Sequence, residues 1–267
     1  MSTTPTTPIP FSVVLIVKNE AHTLERCLTS VSWADEIVVV DGGSDDGTLQ
    51  LCRASGRPWS SKIRVCERAW TGFKDQRNFA MDRASNDWVL VIDADEACSP
   101  ELASRIQGLL ALPGGPPLRA YKVQRYEYFL GKQIRHGIWN PSYQDRFFHR
   151  AGVRYVNDVH EYPVFPVQPG RIHEPLLHWQ DFTPEKFLAK MNKYTTIEAL
   201  DRYQGGKRTN PFHLLLTFPA MAAKMYFYYG GYKDGYHGFI IALLEGISRT
   251  VRHIKIWQLQ LEEKAKH

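Results

Sequence analysis

Apolar positions in the first hundred residues follow two alternating rhythms. The runs "FSVVLIV" (11–17), "EIVVVD" (36–41), "KIRVCE" (62–67) and "WVLVID" (88–93) are contiguous, as in strands buried on both faces. Between them apolar residues recur every three or four positions, as at Ala21, Leu24, Leu28 and Val31. A second helix is expected from near Asp45 to Gly56, with Ser44 or Asp45 as its N-cap, and a third over 75–84. Doubly buried strands separated by helices predict a parallel sheet with right-handed crossovers. In such sheets ligands gather beyond the carboxyl ends of the strands. That rule puts "VKNE", "VDGGSDDG" and "IDADE" on one rim.

Ser99-Pro100 is a helix start, and a surface helix is expected over 101–112. "LPGGPP" then breaks the pattern, and alternating segments such as "YKVQRYEYF" and "QDRFFHR" predict strands of a mixed sheet. From Thr183 the chain turns helical, with Phe187, Met191, Tyr194 and Ile197 on one face. Further helices are expected over 211–229 and 234–262, the first kinked or broken at Pro219.

Composition changes this picture little. The 267 residues, 43% hydrophobic and 23% charged, suit one large α/β domain or a core domain with an appendage, and the net charge of +5 fits phosphorylated substrates or anionic membranes. Nucleic acid is not expected, since no Lys/Arg stripe or known binding module is present. Cys27, Cys52, Cys66 and Cys98 form no C-x-x-C, which argues against zinc and for reduced thiols in the cytoplasm. "MSTTPTTPIP" lacks the marks of a signal peptide and reads as a disordered lead-in over 1–10. No uninterrupted apolar run reaches the roughly 18 residues of a membrane span.

Chemistry concentrates on the rim. Asp93 and Asp95 flank Ala94 at a strand end. In extended chain both carboxylates point the same way, so they can share a divalent cation, or one can bind it while the other meets water or a ribose. Mg2+ and Mn2+ take such oxygen ligands together with substrate phosphates. A solvated acidic turn is the competing reading. Asp41 ends the second strand before Gly42, Gly43 and Gly47, where an acid suits a ribose or base. Neither G-x-G-x-x-G nor a P-loop motif occurs, so a dinucleotide fold and a P-loop NTPase are unsupported.

The segments "SVVLIVKNEAHTLERCLTSV", "EIVVVDGGSDDGT", "GFKDQRNFAMDRASNDWVLVIDADE" and "VHE" resemble glycosyltransferase family 2. Within it they are most similar to the bacterial lipopolysaccharide core β-1,4-glucosyltransferase branch. The resemblance is dense over 11–100, looser over 140–200 and slight beyond. It implies an α/β fold of the GT-A type, with a Rossmann-like, mostly parallel sheet and flanking helices. The catalytic domain would cover 11–182, its nucleotide half 11–100 and its acceptor half 101–182, with a helical region over 183–267. It also implies an inverting, metal-dependent transfer from a UDP-sugar donor to a glycan or glycolipid acceptor. Val17 and the Asn19–Glu20 turn would border the uracil and Asp41 the uridine. Lys74, Gln76 or Arg77 would lie near the base or diphosphate. Asp93, Ala94 and Asp95 would hold the nucleotide and Mg2+ or Mn2+, with His178 completing the metal site.

Inverting transfer needs a carboxylate to take the acceptor's proton. "YVNDVHEYPVF" offers Glu161, with Asp158 and His160 beside it, and "NPSYQDRFFHR" offers Asp145. Glu161 is preferred, because Asp145 stands where related sequences tend to be apolar. Two other readings stay open: a nucleotidyltransferase, although "VKNEAH" is no phosphate loop, and a non-catalytic glycan-binding relative. The aromatic and basic helices after 211 pack on the core or on a second subunit, or rest on the cytoplasmic face of the inner membrane.

Overall fold

The computed structural model of the chain describes residues 7–157 and 161–265. It divides into two compact units, 1–126 with 142–179, and 127–141 with 180–267.

The first unit is built on a mixed sheet. Strands β1 (Phe11–Val17), β2 (Glu36–Asp41), β3 (Ile63–Glu67) and β4 (Trp88–Val91) run parallel in the order β3-β2-β1-β4. The sheet continues through β8 (Ser142–His149), β6 (Ala120–Phe129), β11 (Gly170–Trp179) and β5 (Glu96–Cys98). In this half β8 pairs antiparallel with both β4 and β6, and β5 pairs antiparallel with β11. The parallel portion therefore ends at β4, where helical crossovers give way to turns and returning strands. Another short pair, β9 (Arg154–Val156) and β10 (Tyr162–Val164), stands apart from it.

Alternation along β1 divides the core between the sheet's faces. Val13, Leu15 and Val17 pack with Leu24 and Leu28 of α1 (Ala21–Ser30) and Ile106 of α4 (Pro100–Leu110). Val14 and Ile16 face the other way, onto Ala80 and Met81 of α3 (Phe73–Arg83). Ser99 caps α4, its side chain accepting from the Leu102 N–H at 3.1 Å, as its Ser-Pro signal predicts. The lead-in joins the fold at Ile9, whose N–H donates to the Leu110 carbonyl.

Helix α2 is shorter than expected, spanning only Thr48–Cys52. Neither Ser44 nor Asp45 caps it. The Asp46 carboxylate accepts from the Thr48 N–H, because the Ser44 hydroxyl and N–H are both drawn to Asp41.

In the second unit, Phe129, Ile134 of β7 (Lys132–Ile134) and Ile241 form a small core with Trp139 and Phe182. Helices α5 (Pro184–Gln204) and α6 (Pro211–Ala223) both pack against α7 (Tyr236–Lys264). Proline does not break α6: the helix passes through Pro219 and widens into one π-helical turn, Lys224–Tyr228. Among the described residues, no helix is long and apolar enough to cross a membrane.

Candidate active site

Two loops beyond the parallel strands are stitched together side by side. Asn19, at φ +60°, donates its N–H to the Ser44 hydroxyl and accepts from the Asp45 N–H. Glu20 N–H donates to the Thr48 hydroxyl and Ala21 N–H to Asp46. The buried Asp41 carboxylate accepts from the Gly43 and Ser44 N–H groups at 2.8 and 2.9 Å and from the Ser44 hydroxyl. Asp41 thus shapes the loop from within. Val17 lies opposite Asp41 in register, and its carbonyl accepts from Gly42. A Cβ on Gly42 would sit 2.7 Å from the Trp70 ring, so this turn needs glycine for close approach.

Past β4 the chain does not stay extended. It turns at 93–96, with the Glu96 N–H on the Asp93 carbonyl and the Asp93 N–H on the Glu96 carboxylate. Ala94 enters the core, while the two aspartates find different partners. Asp93 is held by Arg77 at 2.8 Å and by Arg146 at 2.5 Å, one guanidinium on each carboxylate oxygen. Fully buried Glu96 accepts from Arg146 at 2.8 Å and Arg125 at 3.3 Å. Asp95 instead places Oδ2 3.1 Å from His178 Nε2. The turn separates the directions of the two carboxylates, where an extended chain would have set them side by side.

Burial alone would raise the Asp93 pKa, but Arg146 and Arg77 outweigh it and hold the carboxyl well below the usual range. The same pairing offsets burial at the arginines and raises both.

Beside this cluster lies a polar cavity of about 240 Å³, lined by Arg77, Asp93, Asp145, Arg146, Tyr155 and Glu161 among others. Both candidate bases reach it. Glu161 accepts from Arg77 Nε at 3.4 Å. Asp145 has Lys122 at 3.6 Å, and its buried Oδ1 lacks a hydrogen-bond partner among the described residues. Burial pushes the Asp145 pKa up, against the charges of Lys122 and Arg146. Asp158 and His160 lie outside the described residues.

Gln76 is buried, its amide donating to the carbonyls of Arg68 and Ala69, so it fastens the loop after β3. Lys74 is half-buried at the start of the same helix. The sequence expectations name none of Arg125, Arg146, Tyr155 and Trp70. Separations of tens of residues hid Arg146; the one local signal was an arginine beside an acid, leading into the apolar pair Phe147 and Phe148.

No three His, Cys, Asp or Glu side chains converge as a metal site among the described residues. Asp95 and His178 nonetheless bring together an oxygen and a nitrogen of the kinds that bind divalent cations, and would be the residues to hold one. Asp93 does not fit such a role while both its oxygens are bound by guanidinium groups.

The family model for glycosyl transferase family 2 matches residues 12–165. The lipopolysaccharide core biosynthesis glycosyltransferase LpsC of Rhizobium meliloti (strain 1021) is 30% identical over 256 residues, 94% of this chain and 93% of that protein. An uncharacterized glycosyltransferase of Rickettsia typhi, RT0209, is 26% identical over 264 residues, 95% of this chain and 88% of its own. Among solved structures, the mannosyltransferase PcManGT from Pyrobaculum calidifontis, in complex with GDP-Man and Mn2+, superposes with a TM-score of 0.51 at 16% identity, covering 94% of this chain and 88% of that one. That likeness identifies the fold, which is of the GT-A type.

Proposed function

The chain belongs to glycosyl transferase family 2, and on that premise we propose that it moves a hexose, glucose first, from a UDP-sugar to a lipopolysaccharide core or related envelope glycan. Similarity to LpsC along nearly the whole chain supports the acceptor class. Four free cysteines support a cytoplasmic setting.

The observation that carries the reading is the Asp95–His178 pair, 3.1 Å apart beyond the end of β4. These two side chains would hold Mg2+ or Mn2+, which when bound neutralises charge on the departing diphosphate. The stitched loops at Asn19 and Asp41 would receive the nucleoside. Arg77 and Arg146 keep Asp93 ionised and fixed, a positioning role. At the polar cavity, Glu161 would take the acceptor hydroxyl's proton while that oxygen bonds to the anomeric carbon. As it does so the bond from that carbon to the UDP oxygen breaks on the opposite face, and the configuration inverts. Asp145 is a second reading for the base, favoured by its raised pKa and by an Oδ1 without a partner among the described residues.

The test is thermal stabilisation by a panel of nucleoside diphosphates with and without Mn2+, then product mass with UDP-glucose and truncated core lipopolysaccharide. UDP with Mn2+ is expected to raise the melting temperature, since a ligand bound only by the native state stabilises it. Asp95→Ala should remove the cation-dependent part. An unchanged cation dependence in that variant sinks the metal assignment, and a product no heavier by one hexose sinks the donor or acceptor. Glu161→Gln is expected to lower turnover about 100-fold or more with UDP affinity retained. Near-normal turnover in Glu161→Gln alongside a dead Asp145→Asn transfers the role to Asp145.

A further inference from the structure

Helix α6 has no buried residue. Its inner side meets α7, where a Cβ on Gly246 would lie 3.0 Å from the Phe218 ring. The outer side, at helical spacing, carries Phe212, Leu215, Leu216, Pro219, Ala220 and Ala223, all exposed. Phe212 is 73% and Leu215 72% exposed. Contiguous apolar patches of this kind mark interaction surfaces. The chain beyond α6 adds the exposed ring of Phe227 and three exposed tyrosines, Tyr228, Tyr232 and Tyr236, whose apolar rings and polar hydroxyls suit a boundary between oil and water. Lys224 lies 5.6 Å over the Tyr229 ring and Lys233 5.9 Å over that of Tyr232.

Charge decides what covers this face. The unit containing it has 15 Lys/Arg against 9 Asp/Glu, whereas the other unit has 18 against 19. The chain's positive excess therefore belongs to the helical unit. A second copy on the same face would bring two positive units together; an anionic bilayer offers both an apolar bed and opposite charge. We propose that the outer face of α6 and the aromatic turn after it dock this unit on an anionic lipid surface, with Phe212, Leu215 and Leu216 below the headgroups and Lys224 and Lys233 among them.

The proposal is tested by flotation of the full chain with phosphatidylcholine vesicles, with and without about a quarter phosphatidylglycerol, at low and high salt. Binding is expected only with the anionic vesicles and should weaken with salt. Phe212→Ser with Leu215→Ser should abolish flotation while circular dichroism and UDP-dependent stabilisation stay as in the parent. Lys224→Glu with Lys233→Glu, which leaves the apolar face intact, should weaken binding at least about fivefold per cation replaced. UDP-dependent stabilisation is read separately, so failure here leaves the sugar-transfer reading standing. Full-length protein left at the bottom of the gradient at low salt overturns the proposal, as do variants that float like the parent. A lipid-free dimer in sedimentation velocity that the Phe212/Leu215 variant dissolves, without flotation, reassigns the face to self-association.

Discussion

Asp93 sits between two arginines, with one guanidinium on each oxygen. Removing one partner of a buried ion pair strands the others, at about 3 kcal/mol or more. Asp93→Ala should therefore lower the urea midpoint sharply, and an unchanged midpoint would show that the arginines find other partners. The pH dependence has a definite sign. Because the folded pKa is depressed, the stabilisation from Asp93 is complete above the unfolded value of about 3.9 and is lost as pH falls through the folded value. Asp145 behaves oppositely. Its folded pKa is raised by burial, so its ionisation weakens the fold as pH rises. Asp145→Asn is expected to melt higher than the parent at neutral pH, the gain fading in acid. A variant that melts lower at neutral pH would show that the Lys122 contact outweighs burial.

At the scale of elements, local signals and tertiary demands met with different success. The four parallel strands and α4 follow from their apolar runs and the Ser99-Pro100 start. Ser99→Ala should cost about 1 kcal/mol, seen as a lower urea midpoint with unchanged slope. A loss below a few tenths would mean that water replaces the cap. Helix α2 starts late because the Asp46 carboxylate takes the Thr48 N–H, while Gly43 and Ser44 are held back by Asp41. In α7 the buried positions are Gly238, Ile241, Ala242, Gly246, Arg252 and Ile256, small residues dominating its first half. The larger apolar residues Phe239 and Ile247 are left exposed. Close backbone approach explains that choice: a Cβ on Gly238 would fall 1.9 Å from the Gly231 carbonyl oxygen.

Across the whole molecule the thiols report on the integrity of the fold. Cys27, Cys52 and Cys98 are buried and Cys66 only partly so. Burial pushes Cys52 and Cys98 up to about 12. At Cys27, burial raises the pKa well above the usual thiol value, helped by the charges of Glu96, Asp95 and Asp93. A thiol reagent should therefore label Cys66 in the native protein, with the other three reacting only as the chain opens. Rapid labelling of Cys27 in native buffer would show local opening beneath the Asp93 turn, whose carbonyl its sulfur approaches at 3.4 Å.

The sequence by itself determined the parallel half of the sheet, the rim and its acids, and the residue types available for chemistry. Those follow from period, burial and turn composition, which act over a few residues. Tertiary structure decided which charges meet. Arg77 and Arg146 lie 16 and 53 positions from Asp93, yet both bind it, and Asp95 lies 83 from His178. Pairing the turn after β4 with β8 and β11 is a long-range event, and no local pattern encodes which carboxylate faces an arginine and which a histidine. It is also only in three dimensions that residues 127–141 join the helical unit and an apolar helix such as α6 has its outer face left uncovered. A sequence records that a side chain is apolar; the neighbours that cover it, or fail to, come from the fold.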